Sequence, residues 1–395
     1  MVATVASDQR RKLTKLHVVE RVILYAAQTL PSSSVACAVR CFHLAEAMTN
    51  AGINVDVWSH AAGTRTTPLR LPFPSNRWPT AVRMVLESLL ALEIFMRLIW
   101  RRVRTPDVVV VLSSPPFVTC FLAAHACRLL GLGYVWDARD VYPEVLFNFG
   151  VLRRDSMLGR WLSSATRTIY RDALFVSTPS NAFVDTIRRQ LDEPQRVLLV
   201  RNGFDEHMFL PAAEPRVDGQ FVCVFHGLLG RMHNIELLLD VADRVASVRP
   251  DVTFVVAGYG PKEKLLRDQH RSNVQFLGPK PYAEIPALLA RADLGLAFIE
   301  DTEGTEGAFP VKVYEYIGAG LPVLVTPLSE AGRLIEERGL GHGFSNQDAA
   351  GIARTIIESA DRGPQYATWR QAAREARAEF SRRRWSDEFA ARIRS

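Results

Sequence analysis

Lys312 and Glu315 stand three residues apart in GAFPVKVYEYIGAGLPVLV, the stretch from Gly307 to Val325, which reads as loop, helix, glycine break and buried strand. A helix start leaves backbone N–H groups unpaired and carries partial positive charge, so Pro310, Val311 and Lys312 at this start suit an anion such as a phosphate. Upstream, the turn GLLGRMHN supplies Gly227 and Gly230, where backbone can approach a ligand, and then Arg231. A second glycine turn, GYGPKEKLLRD, holds Gly258 and Gly260. Each of these is a weak signal alone; together they describe a diphosphate site with a glutamate at ribose distance.

Such a site needs strands to aim the turns, and the chain has them in series. RVILYAA, INVDVWSH, DVVVVLSS, GYVWDARD, ALFVSTPS and RVLLVRNG alternate with helical stretches through the first half. Valine and isoleucine runs without polar alternation mean strands covered on both faces, hence a parallel sheet with helices on each side. After the proline-rich stretch FDEHMFLPAAEPRVDGQ the alternation restarts with FVCVFHGLLG, VTFVVAGYG, VQFLGP, LGLAFIE and PVLVTP. The expected organisation is an N-terminal Rossmann-like domain over 1–203, a linker over 204–219, a second Rossmann-like domain over 220–365, and a terminal helix or helix pair over 366–395. The last of these either lies solvated or straps back onto the first domain. Two doubly wound domains of this kind leave a cleft at the carboxyl ends of their strands.

At 395 residues, 48% hydrophobic and 23% charged, the composition is globular and the length suits two domains. A net charge of +6 favours an anionic substrate or membrane surface over nucleic acid, because the basic clusters lack interleaved aromatics. The five cysteines are odd in number and fit buried thiols in a reducing cytoplasm; Cys37 and Cys41, four apart, have no second pair with ligand spacing. The N-terminus carries charges before its apolar run but no small-residue cleavage site, so secretion is not expected. No DxD motif stands at a strand end, and metal independence is the expectation, with positive side chains in the ion's place.

One helix stands apart. PTAVRMVLESLLALEIFMRLIW is about long enough to span a bilayer, yet Arg83, Glu87, Glu93 and Arg97 interrupt it. At ~100° per residue these charges, with Arg101 and Arg104, fall within roughly a third of the circumference. Residues 79–104 therefore form a helix that is either deep in the core or shallowly embedded in a membrane surface.

The order and spacing of SSPPFV, WDARDVYPE, STPSNAF, VRNGFDEHMF, HGLLG, AGYGP, VQFLGPKPYAEIPALLARADLGLAF and FPVKVYEYIGAGLPVLV resemble the GT-B retaining glycosyltransferases of family 4, in particular the bacterial surface-polysaccharide branch. The likeness covers about Val22 to Phe389. It implies two Rossmann-like domains facing across a cleft, a nucleotide-diphosphate sugar, UDP- or GDP-linked, held by the second, and an acceptor held by the first. On this resemblance Arg231 and Lys312 neutralise the diphosphate, Glu315 accepts the ribose hydroxyls, and Gly227, Gly230, Gly258 and Gly278 line the donor site, the backbone of 276–278 facing the base. Ser33, Ser34, Asp137, Arg139 and Asp140 fall to the acceptor side, with Asp137, Arg139, Arg231 and Lys312 as the catalytic set. Retention would follow from attack on the face the diphosphate leaves, its own oxygen assisting deprotonation.

This chain departs from the family pattern twice. A glutamate seven residues before Glu315 is replaced by Gly307, with Glu306 one place early; either Glu306 swings in or sugar contacts come from elsewhere. Asp137 stands where a histidine is usual. It either binds a sugar or acceptor hydroxyl, with Arg139 on an acceptor phosphate, or an Arg139–Asp140 ion pair orders the loop. The implied setting is cytoplasmic and peripheral at the inner face of the cell membrane, with a lipid-linked glycan acceptor. The alternatives are a soluble natural-product acceptor, a sugar-nucleotide epimerase, or a non-catalytic partner protein; a dinucleotide-dependent oxidoreductase is disfavoured because QTLPSSS lacks a GxGxxG run.

Overall fold

A computed structural model of the chain describes residues 19–27, 36–60, 66–72, 78–104, 107–211, 219–302 and 307–395. The chain divides into two compact units, one made of 1–201 with 385–395 and the other of 202–384.

The first unit runs β1 (Arg21–Tyr25), α1 (Ala36–Asn50), β2 (Asn54–Ser59), β3 (Thr66–Pro68), α2 (Thr80–Arg104), β4 (Val108–Ser114), α3 (Phe117–Leu130), β5 (Gly133–Ala138), α4 (Glu144–Asn148), α5 (Met157–Asp172), β6 (Val176–Thr178), α6 (Asn181–Arg188) and β7 (Val197–Leu199). The strands pair in parallel in the order β3-β2-β1-β4-β5-β6-β7. Their continuous apolar runs are buried from both sides, as a doubly wound sheet requires. Ile23 and Tyr25 of β1 point into one core with α2, α3, α5 and α6, while Val22 and Leu24 point into the other with α1 and the chain's last helix.

The second unit runs β8 (Phe221–Leu228), α7 (Ile235–Ala246), β9 (Val252–Tyr259), α8 (Glu263–Arg267), β10 (Val274–Phe276), α9 (Ile285–Leu289), β11 (Leu294–Phe298), α10 (Val311–Gly318), β12 (Val323–Thr326), α11 (Glu330–Glu337), β13 (Gly341–Gly343) and α12 (Ala349–Ala360), then α13 (Pro364–Glu375) and α14 (Arg377–Phe380). Its sheet is again parallel, in the order β10-β9-β8-β11-β12-β13.

One segment differs from the expected linker, and the tail follows the strap alternative in its last helix. Phe204 and Phe209 are fully buried in the second unit's core, so the described residues 204–211 are part of that domain; 212–218 lie outside the described residues. The tail is divided: α13 and α14 belong to the second unit, and α15 (Arg382–Arg394) crosses to the first, where Phe389 meets Phe175 edge-on at 5.5 Å.

Strand order reverses between β1 and β4 in one sheet and between β8 and β11 in the other. Open α/β sheets bind ligands outside the carboxyl ends of the strands at such reversals.

Candidate functional site

At the carboxyl end of β8 the chain enters a turn that only glycine can build. Gly227 has φ +112°, and a Cβ on Gly258 of the neighbouring strand would sit 2.0 Å from the Gly227 carbonyl oxygen. Backbone bonds from Leu229 to Tyr259 (2.8 Å) and from Lys262 to Leu229 (3.0 Å) tie this turn to the Gly258–Gly260 turn. Asn234 then caps α7 by accepting from the Leu237 amide.

Lys312, in the first turn of α10, reaches under this turn. Its Nζ lies 3.6 Å from the centre of the Phe225 ring, and a Cβ on Gly227 would stand 3.8 Å from it. The residue is 7% exposed and its ammonium has no hydrogen-bond partner. Burial pushes its pKa down to about 7, against the opposing pull of Glu315. Helix α10 begins at Pro310 without a side-chain cap, so its first N–H groups are open in the same place.

Glu315, one turn on, is buried, hydrogen-bonded on one side and close to a histidine on the other. The Tyr282 hydroxyl donates to Oε1 (2.8 Å), and His226 Nε2 lies 3.3 Å from Oε2. Burial raises the Glu315 pKa, while the Tyr282 bond and neighbouring cations oppose the rise. His226 is neutral: burial and Lys312 lower its pKa to about 3, and His233 is lowered to about 3 for the same reasons. The Nδ1 of His233, which feels the Lys312 charge, and, at and just beyond the carboxyl end of β12, Oγ1 of Thr326 and Oγ of Ser329 are also buried without hydrogen-bond partners. Orphaned polar atoms so placed, at the carboxyl edge of a doubly wound sheet, are what a bound polar ligand would satisfy.

Of the residues expected from sequence, Gly227, Gly258, Pro310, Val311, Lys312 and Glu315 meet at this edge. Gly230 closes the turn against the Leu228 side chain. Gly278 has φ +69° and accepts the Gly258 amide through its carbonyl (2.8 Å). Arg231 is exposed on the turn and makes no ion pair among the described residues. Glu306 lies outside the described residues. His226, His233 and Tyr282 were not expected; the one signal was the HG at the end of a strand.

In the first unit the expectation for Asp137 needs correction. Strand β5 continues through Ala138, so Asp137 is fully buried inside the sheet. It accepts from Arg40 Nη2 (2.7 Å) and Nε (3.1 Å), from Ser113 (2.8 Å) and from Ser177 (2.7 Å). Burial alone would raise its pKa; the guanidinium and hydroxyl donors outweigh that and hold it below the usual range. With both oxygens engaged, this carboxylate is a structural partner of Arg40 and has no capacity left for an acceptor. Arg139 donates to the Pro115 carbonyl oxygen, and burial lowers its pKa to about 10. Asp140 is half-buried, its pKa raised by burial. Ser33 and Ser34 lie outside the described residues. The hydroxyls of Ser114 and Thr178, at the carboxyl ends of β4 and β6, and Nε of Arg139 are buried without hydrogen-bond partners.

Among the described residues no group of three or more histidine, cysteine, aspartate or glutamate side chains is arranged to hold a metal ion. Cys41, Cys120, Cys127 and Cys223 are free and buried; the Cys37 side chain lies outside the described residues.

Comparison with known proteins gives two family matches. Residues 36–203 match the glycosyl transferase 4-like domain, and residues 220–361 match glycosyl transferases group 1. The chain is 28% identical over 275 residues to a probable glycosyltransferase, WbjE, of Pseudomonas aeruginosa, covering 65% of this chain and 67% of that protein. Among solved structures it resembles WaaG, a glycosyltransferase involved in lipopolysaccharide biosynthesis (TM-score 0.66, 17% identity, 94% of this chain and 99% of that one). It also resembles Anabaena HepE in complex with UDP-glucose (TM-score 0.64, 15% identity, 94% and 98%).

Proposed function

Because the chain belongs to the glycosyl transferases, with a 4-like first half, a group 1 second half and two GT-B-type α/β units, we propose that it moves a sugar from a nucleoside-diphosphate sugar to an acceptor, the diphosphate resting on Lys312 and the start of α10. The observation that carries this reading is the buried, unpartnered Lys312 ammonium beside the Gly227 turn. A buried ammonium without a hydrogen-bond acceptor is costly, and a diphosphate would supply acceptors and opposite charge.

In this reading the open N–H groups of Val311 and Lys312 and the exposed Arg231 take up charge as the diphosphate departs. Glu315, fixed by Tyr282, accepts the ribose hydroxyls. Reaction with retention, by attack on the face the diphosphate leaves, is part of the proposal, and so is turnover without a metal ion. HepE, solved with UDP-glucose, makes a UDP-linked donor the first to test. The acceptor is a lipid-borne glycan in surface-polysaccharide assembly, worked on at the cytoplasmic face of the membrane with α2 at the surface.

The test is a thermal-shift panel of UDP-, GDP-, ADP- and dTDP-sugars. A ligand that binds only the folded chain raises Tm in proportion to the logarithm of its concentration over Kd. One nucleotide class should shift Tm and be turned over in the presence of EDTA once acceptor is added. If none shifts Tm, the donor reading fails.

A narrower result follows for Tyr282→Phe. Removing the hydroxyl that fixes Glu315 should raise the donor KM about 10-fold, the scale of one hydrogen bond to a charged group, with kcat within a few-fold of wild type. An unchanged KM would mean that Glu315 is set without Tyr282.

A further inference from the structure

Helix α2 is built inside out. Four of its ionisable side chains face the protein: Glu87 accepts the Val118 amide (3.0 Å), Glu93 accepts the Arg70 amide (3.0 Å) and pairs with Arg97, Arg97 donates to the Pro68 carbonyl (2.9 Å), and Arg101 pairs with Asp56. On the opposite side Val85, Leu89, Leu92, Met96, Trp100 and Val103 stand in solvent, Trp100 53% and Val103 82% exposed. These six fall within an arc of about 80° and run about 27 Å along the axis. A soluble surface helix has the reverse arrangement.

The apolar surface continues across the helix layer. Helix α3 joins α2 through the Thr119 hydroxyl, which donates to the Glu87 carbonyl (3.0 Å), and joins α5 through Phe121 and Trp161, ring centres 6.1 Å apart. Leu122 and Leu129 are exposed on α3, and the amino end of α5 presents Met157 (83% exposed), Leu158 and Trp161 (57%).

Charge on this layer has one sign. The carboxylates that α2, α3 and α5 contain are Glu87, Glu93 and Asp172, and protein groups engage all three, Asp172 through Arg128 (2.8 Å) and Arg171 (3.0 Å). Arg160 and Arg167 are exposed on the outward side of α5 and make no ion pair or hydrogen bond among the described residues. Among the described residues no helix is long and apolar enough to cross a membrane, so a face of this kind would lie along one.

We propose that the outer surface of the α2–α3–α5 layer docks on an anionic lipid bilayer, with the apolar arc of α2 and the amino end of α5 at the acyl boundary, Trp100 and Trp161 at headgroup depth, and Arg160 and Arg167 on the lipid phosphates. The proposal deepens the lipid-acceptor reading above, yet docking is measurable without any acceptor.

The test is co-sedimentation of the full chain with vesicles of phosphatidylcholine alone or with 30% phosphatidylglycerol (about one anionic lipid in three, the range in which basic surfaces respond). Binding should appear on the anionic vesicles and fall as salt rises. L92E/M96E should weaken it at least ~10-fold, and R160E/R167E should do the same on anionic vesicles only. Both pairs are exposed, so Tm and the donor-induced Tm shift should match wild type, which separates failure of docking from failure to fold. Absence of binding to anionic vesicles overturns the proposal, as does equal binding to neutral ones. A dimer that forms through this face and ignores vesicles also overturns it, naming a second copy as the occupant. A donor shift without vesicle binding would leave the transferase reading standing and remove this one alone.

Discussion

Lys312→Ala should lower kcat/KM by at least ~100-fold, the scale for losing one preorganised charge stabiliser at a departing diphosphate. Arg231→Ala should fall in the same direction. Lys312 gives a sharper readout than activity because its protonation is linked to both folding and binding. Its pKa in the folded chain is lowered from 10.5 to about 7. Below about pH 7 both folded and unfolded chains carry the proton, so the cost of burying the ammonium is present in full. As pH rises from 7 the folded chain releases the proton first, the cost shrinks, and it is gone above the ordinary value near 10.5. Lys312→Met should therefore melt higher than wild type at pH 6 while losing the donor-induced Tm shift. A diphosphate beside Nζ raises the lysine's pKa, so donor binding at pH 8 should take up about one proton. Titration calorimetry in buffers of different ionisation enthalpy measures this, and the methionine variant should show none. A Lys312→Met chain that melts far below wild type at pH 6 would mean that the ammonium is already satisfied and that the site is misassigned.

Asp137→Ala should cost about 3–5 kcal/mol of folding stability, because it removes the carboxylate that neutralises the buried Arg40 guanidinium. Urea denaturation would measure this as a lower midpoint with unchanged slope. Asp137→Asn should fall short of wild type as well, since it keeps the shape but loses the compensating charge. An acceptor-binding or catalytic aspartate behaves otherwise, losing turnover while the melting curve stays in place. That outcome would restore Asp137 to the chemistry and remove it from the framework.

These two residues also show what one-dimensional reading can and cannot reach. Lys312 and Glu315 could be singled out because a local pattern marks them in the chain: a helix start, a glycine break and a strand within twenty residues. The strands were equally legible, since an unbroken run of β-branched apolar residues, too short for a helix, fits a strand covered on both faces. The framework role of Asp137 was hidden because its partner Arg40 is 97 residues away: the strand was legible in GYVWDARD, but the pairing that engages the aspartate inside the sheet was not. His226 and Tyr282 escaped for the same reason, since only the fold brings them to Glu315. In α2 the segregation of charge around the helix was plain, but its direction was not. Glu93 and Arg97 turn inward because the backbone of 68–71 offers them partners, and Arg101 because Asp56 does; those groups are remote in sequence.

The crossing of α15 bears on how the polypeptide is made. Phe389 and Ile393 fill part of the first unit's interior, so residues 202–384 are in effect an insertion within that unit. During synthesis the inserted domain can finish first, while the domain that leaves the ribosome earlier waits with one flank open for its closing helix. A cut at a single junction would not yield both halves intact, and separate expression of the first unit calls for rejoining 385–395 to it.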